Sequence, residues 1–194
     1  TRSVELLLDR DAEAARIQLG QLRDLQREAL AEMRALIFEL RPGNLEQDGL
    51  AHALKTHSSA LQGRIGLPIV VEGALEPRLP LEIEEVLYRI AQEGLHNIVK
   101  HAGARQARVE VKRVAGNVRL RIEDDGKGFD PGKVPEGHLG LAGMRARTEK
   151  IGGRFSVTSE AGRGTTVEVV VPDAVVRAAA ERRRPSAPVA ASAE

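Results

Sequence analysis

The chain has no cysteine, which excludes disulfides and thiolate catalysis, argues against redox work and fits a cytoplasmic protein. It has no long apolar run either. Nothing approaches the ~20 residues that a membrane-spanning helix needs, and the opening residues lack the charged, apolar and small-residue order of a signal peptide. Neither charge is in excess: 29 basic against 28 acidic side chains leave a formal +1. No global field is therefore available to hold nucleic acid or an anionic membrane, and any anion must be held locally. The five histidines include no pair at zinc-ligand spacing, and His52 and His57 read as surface or packing residues. There is no Gly-x-x-x-x-Gly-Lys-Ser/Thr loop and no dinucleotide glycine fingerprint after a first strand. No internal repeat occurs.

What is present is a globular composition, 194 residues at 42% hydrophobic, enough for one packed domain with an appendage or for two small domains. From Asp11 to Leu40 the apolar residues Ala15, Leu19, Leu22, Leu25, Ala29, Met33, Leu36 and Leu40 recur at spacings of three and four, predicting a long amphipathic helix. Its stripe is narrow, like a coiled-coil seam, and calls for a partner helix. Leu6 to Leu8, turned back at Asp9-Arg10-Asp11, supply the end of that partner, and a second copy of the chain supplies the rest. A core helix of a monomer is the other reading. Because the chain opens at Thr1 inside helical sequence, it is expected to be a piece of a longer protein. Arg41-Pro42-Gly43-Asn44 stops the long helix.

Beyond it the pattern predicts a helix over 50–61, a strand over 68–72, and a helix from about 80 to 100 ended by Ala102-Gly103. Alternating strands follow over 107–114 and 118–123, joined by the hairpin Ala115-Gly116-Asn117. A Gly- and Pro-rich loop covers 126–137, long enough to hint at function. A helix over 139–151 and strands over 154–159 and 165–171 complete the order. Antiparallel hairpins with helices returning to one face give an α/β fold, a two-layer sandwich with a mixed sheet, preceded by a long helix. The expected domains are a partial helical hairpin at 1–47, the α/β domain at 48–172, and a disordered Ala/Arg/Pro tail at 173–194.

Four segments carry chemistry. In Gln92 to His101, a helix puts Glu93, Asn97, Lys100 and His101 at i, i+4, i+7 and i+8, on one face at about 3.6 residues per turn. They border a buried stripe of Ile83, Val86, Leu87, Ile90, Ala91, Gly94 and Ile98. Oxygen donors there suit Mg²⁺, which keeps several waters and takes one or two protein ligands beside substrate phosphates; Asn97 is the expected metal ligand. Lys100 offers a compact positive charge to phosphates. A merely solvated helix edge is the alternative. Asp124 ends a strand before Asp125-Gly126-Lys127-Gly128, where its carboxylate can accept from an exocyclic amine and so choose adenine over guanine; a plain Asp-Gly turn competes with that view. Gly137-His138-Leu139-Gly140-Leu141 lies where a loop becomes a helix, so free amides and a positive dipole end face an anion. Gly162-Arg163-Gly164-Thr165 reads first as a tight turn, with the Thr165 hydroxyl available to a base.

In this order the segments resemble the four motifs of the GHKL ATPase superfamily, the fold of DNA gyrase B subunits, mismatch-repair ATPases and sensor histidine kinases, over roughly 68–172. Gln92 to His101 resembles its N box; Asp124 to Gly128, Gly137 to Leu141 and Gly162 to Thr165 resemble its glycine boxes. Leu40-Arg41-Pro42, Leu87-Tyr88-Arg89-Ile90 and Gly140-Leu141-Ala142-Gly143-Met144-Arg145 are similar to the nitrate-sensor-like class of two-component histidine kinases. The resemblance implies ATP and Mg²⁺ as cofactors, with Asn97 on the metal and Glu93 as the catalytic group orienting water or metal. It further implies Lys100, His101 and His138 on the phosphate side, and Asp124, Gly126, Gly128, Leu139, Gly140, Leu141 and Thr165 around the nucleotide. It implies homodimerisation through residues 1–40 and a response regulator as partner. The family's phosphoacceptor histidine, beside an acidic residue on the first dimerisation helix, has no counterpart here, so the acceptor is expected outside this chain. An anti-sigma-type serine kinase and a non-catalytic dimerisation module are the alternatives.

Overall fold

A computed structural model describes residues 43–130 and 139–182. The expected helix of 11–40 and its pairing, Gly137 and His138, and residues 183–194 lie outside the described residues. The described residues all belong to one unit that begins at Gly43.

Helix α1 spans Gly43–Ile65, beginning earlier than the helix expected over 50–61. A joint at Gly49 explains the difference: its φ of 80° breaks the helical path, so a short first piece and a longer second piece meet there. Strand β1 (Ile69–Glu72) leads to helix α2 (Leu81–Asn97), continued by a π turn over Ile98–Ala102. The hairpin β2 (Ala107–Val114) and β3 (Asn117–Asp124) matches the expected alternation. Helix α3 (Leu139–Lys150) and the pair β4 (Arg154–Ser159) and β5 (Thr165–Pro172) follow.

The strands form one five-stranded mixed sheet in the order β1-β2-β3-β5-β4, with β1 parallel to β2 and the other pairs antiparallel. Register and period 2 sort its residues by face. Val71, Val109, Ile122, Val167 and Val157 make one row across the inner face, and Val111, Leu120, Val169 and Phe155 make the next. Helix α2 covers these rows with Ile83, Leu87, Ile90, Ala91, Gly94 and Leu95, all buried. Contact is intimate at Gly94, where an added Cβ would come within 2.7 Å of Ile122 Cδ1. Each large side chain buried this way contributes about 1.5–3 kcal/mol. The outer face carries ion pairs instead, such as Arg119 with Glu110 at 2.9 Å and Arg121 with Glu123 at 2.5 Å.

One expectation is corrected. Residues from 173 were expected to be disordered, yet Asp173–Arg182 form a helix, α4. Its alanines favour helix, and Val176 and Ala179, one turn apart, are both buried. Asp173 pairs with the half-buried Arg113 at its first turn, and the exposed pair of Arg182 with Glu82 at 3.4 Å adds little.

Candidate functional site

The sheet's inner face changes chemistry at its last row. Beyond Val109, Ile122, Val167 and Val157, the next residues in register are Ala107, Asp124, Thr165 and Ser159. Asp124 therefore points to the same side as Ile122, toward α2, one row past the apolar core. Its Oδ1 accepts from the Gly126 N–H at 2.8 Å. Burial pushes its carboxyl above the ordinary range, opposed by the N–H groups of Gly126 and Thr165. Thr165 lies opposite it on β5, with Oγ1 3.0 Å from Ser159 Oγ; that hydroxyl also accepts from the Phe129 N–H at 2.9 Å.

The glycines measure how closely these turns approach. A Cβ at Gly164, whose φ is 78°, would stand 2.0 Å from the Asp124 carbonyl oxygen. At Gly128 it would meet the Glu160 carbonyl at 2.0 Å, and at Gly126 the Ala102 carbonyl at 2.5 Å. Ala102 closes the π turn that follows Asn97, so the rim holding Asp124 and the end of α2 are in direct contact.

The helix beginning at Leu139 comes to the same place. A Cβ at Gly140 would lie 2.4 Å from Glu93 Oε1 and 3.4 Å from Asn97 Nδ2. Glu93 and Asn97, one turn apart on α2, thus face the first turn of α3, while Leu141 packs on the core. Lys100 and His101 depart from the expected α-helical spacing. The π turn widens the helix after Asn97, buries Ile98 and Ala102, and leaves Lys100 and His101 exposed on the turn beyond. The structure brings Glu93, Asn97, Asp124, Gly126, Gly128, Gly140 and Thr165 around one end of the sheet. The Leu139 side chain and His138 are outside the described side chains.

No cluster of three or more His, Asp or Glu is placed to hold a metal among the described residues. Mg²⁺ needs no such cluster, because one or two protein oxygens suffice when phosphates and water fill its shell. The oxygens of Glu93 and Asn97 meet that requirement. No helix among the described residues is long and apolar enough to cross a membrane.

Three features escaped the sequence reading. Asp125 Oδ1 accepts from the N–H groups of Arg105 and Gln106, and the doublet Asp124-Asp125 carried no sign of that reach. Ser159, whose hydroxyl joins Thr165 to the Phe129 N–H, was legible only as the end of a strand. The third is Glu84 on α2, 1% exposed and paired with Arg78 at 2.9 Å, a polar residue inside an apolar stripe.

Comparison with known proteins gives the family. Residues 82–175 match the family described as histidine kinase-, DNA gyrase B-, and HSP90-like ATPase, and residues 1–45 match a histidine kinase family. Sensor histidine kinase YhcY of Bacillus subtilis is 40% identical over 156 residues, 78% of this chain and 39% of that protein. Sensor protein VraS of Staphylococcus haemolyticus is 34% identical over 155 residues, 80% of this chain and 44% of its own length. The chain thus spans less than half of these curated relatives. Among solved structures, the histidine kinase domain of a blue-light activated kinase from Erythrobacter litoralis superposes with a TM-score of 0.57 at 25% identity, covering 67% of this chain and 68% of that one. The chain therefore belongs to the histidine kinases, its residues 82–175 forming the ATPase domain they share with DNA gyrase B and HSP90.

Proposed function

We propose that this chain is the ATP-binding catalytic portion of a sensor histidine kinase of the nitrate-sensor-like class, which transfers the γ-phosphoryl group to a histidine outside the chain for relay to a response regulator. One observation carries the reading: the polar rim row of Asp124 and Thr165 faces the helix whose end presents Glu93 and Asn97, beside the first turn of α3.

Each residue has a distinct task there. Asp124, half-buried at the rim, accepts the hydrogen bond of an adenine amine and leaves the carbonyl of guanine without a partner. Thr165 and the Gly126 and Gly128 backbone bound the ring. Gly140 and Leu141, at the start of α3, put free amides and the positive dipole end toward phosphate. Lys100 and His101, with His138 as a further candidate, add positive charge or hydrogen-bond donors on that side. Asn97 holds Mg²⁺ and Glu93 orients water or metal; when bound, the ion neutralises charge developing on the transferring phosphoryl group. Catalysis by these residues is positioning and charge neutralisation. Residues 1–40 supply a homodimer seam in the whole protein.

Labelled ATP tests the reading. Incubated with Mg²⁺, this chain itself should stay unlabelled, and a version extended upstream by one helix should gain acid-labile, alkali-stable phosphate, as expected of phosphohistidine. Acid-stable label on an added antagonist protein would point to the serine-kinase reading, which the histidine kinase relatives do not favour.

A further inference from the structure

The site has two limbs. The ring-reading limb ends β3 at Asp124, and the phosphate limb is the end of α2 with its π turn, carrying Asn97, Lys100 and His101. The β2–β3 ladder ends beside them, at the pair Ala107–Asp124. Three hydrogen bonds carry the contact on from there. Asp125 Oδ1 accepts from the N–H of Arg105 at 2.7 Å and of Gln106 at 3.0 Å, and the Lys127 N–H donates to the Ala102 carbonyl at 2.9 Å.

Asp125 is not acting as an ordinary turn former. A turn aspartate bonds backbone two residues on, which is what Asp124 does with Gly126. Asp125 instead bonds across the hairpin, just beyond its last pair Ala107–Asp124, to the segment that leaves the π turn. Nor is its partner the Arg105 side chain, which is 90% exposed with Nε 3.6 Å away and contributes little. The Gln106 and Arg105 N–H groups hold its carboxyl below the ordinary range, so it is ionised at neutral pH and its two backbone bonds are charge-assisted.

We propose that Asp125 is a positioning residue that sets the separation between the two limbs, and with it the site's preference for a ligand spanning both, a purine nucleoside triphosphate. The inference rests on the nucleotide reading above. Loss of the clamp lets the π turn drift from the Asp124 rim. A ligand occupying only the ring limb is then little affected, whereas one that must touch both limbs loses the benefit of their preorganised spacing.

The test is calorimetric titration of the chain with ATP and Mg²⁺ and, separately, with adenosine. Asp125→Ala should weaken ATP roughly tenfold and change adenosine less than about twofold. Asp125→Asn keeps an oxygen acceptor and should restore ATP binding to within about threefold of the unmodified chain. Asp125→Glu, which keeps the charge on a longer arm, gives a second folded variant that should show the same split in smaller measure. Amide exchange reads the clamp without any ligand: in Asp125→Ala the Arg105, Gln106 and Lys127 amides should exchange faster. Equal loss of ATP and adenosine, no loss of either, unchanged exchange, or an Asn variant as poor as Ala would each overturn the inference. If the unmodified chain binds ATP and only the split is missing, the inference alone fails; if it binds no ATP, the nucleotide reading falls with it.

Discussion

Replacing Arg78 by alanine should cost more stability than any other single exposed-side substitution in this domain. Its guanidinium donates to Glu84 from Nε at 3.2 Å and from a terminal nitrogen at 2.9 Å, and Glu84 is 1% exposed. The same group donates to the carbonyls of Leu45, Glu46 at 2.8 Å and Gln47 at 3.2 Å, closing the short helical piece before the Gly49 joint. Without Arg78 a buried carboxylate is left unpaired, which costs about 3–5 kcal/mol. Arg78 is itself 42% exposed, so water can enter the vacated space, and we take the lower end, about 3 kcal/mol. At 2–4 °C per kcal/mol for a chain of this size, Tm should fall by roughly 6–12 °C. Thermal unfolding followed by circular dichroism measures it. The double variant Arg78→Ala with Glu84→Leu should recover part of the loss, because the uncompensated charge is gone and an apolar group of similar volume fills the site. A single-variant loss under about 1 kcal/mol, or a double variant worse than the single, would refute the argument.

Three other substitutions probe the fold and the rim. Gly164→Ala combines a φ of 78° with a Cβ 2.0 Å from the Asp124 carbonyl, so it should cost roughly 2 kcal/mol or more and abolish ATP binding, read by melting and calorimetry. Asp124→Asn should separate stability from function. Because burial raises its carboxyl above the ordinary 3.8, the native state holds a proton that the unfolded state has released, and stability falls as pH rises through the window between the two values. Asparagine escapes that penalty: melts should show the variant more stable above the window and no advantage below about pH 3.8, while its ATP affinity drops. Val176→Ala, at a position 5% exposed on α4, should cost about 1.6 kcal/mol by denaturant titration if that helix packs as described.

What the sequence made legible was whatever rests on local periodicity. Val109, Val111, Val118, Leu120, Ile122, Val167 and Val169 alternate with charge, and each is buried on the inner face. The expected stripe on α2 omits Tyr88, Leu95 and Glu84, all buried; Glu84 was not legible because the partner that makes a buried carboxylate tolerable, Arg78, lies on a separate loop. Residues 173–182 looked disordered because two buried positions among alanines are a faint stripe, and the Arg113 that pairs with Asp173 at the start of α4 comes from a distant strand. The π turn after Asn97 was not legible at all. No residue type announces it, and it arises where α2 must both bury Ala102 and meet the Gly126 turn. The candidate site followed the same division. The box residues were readable one by one, whereas the Asp125 clamp and the meeting of Gly140 with Glu93 exist only once the chain has folded.

The most direct measurement is a titration of isotope-labelled chain with ATP and Mg²⁺, following amide resonances on both limbs. Gly126 and Thr165 on the ring side and Asn97 and Gly140 on the phosphate side should all shift along one saturating curve, and Asp124→Asn or Asn97→Ala should each weaken that single curve. Shifts confined to one limb, two unrelated affinities, or no saturation would contradict a nucleotide lying between them.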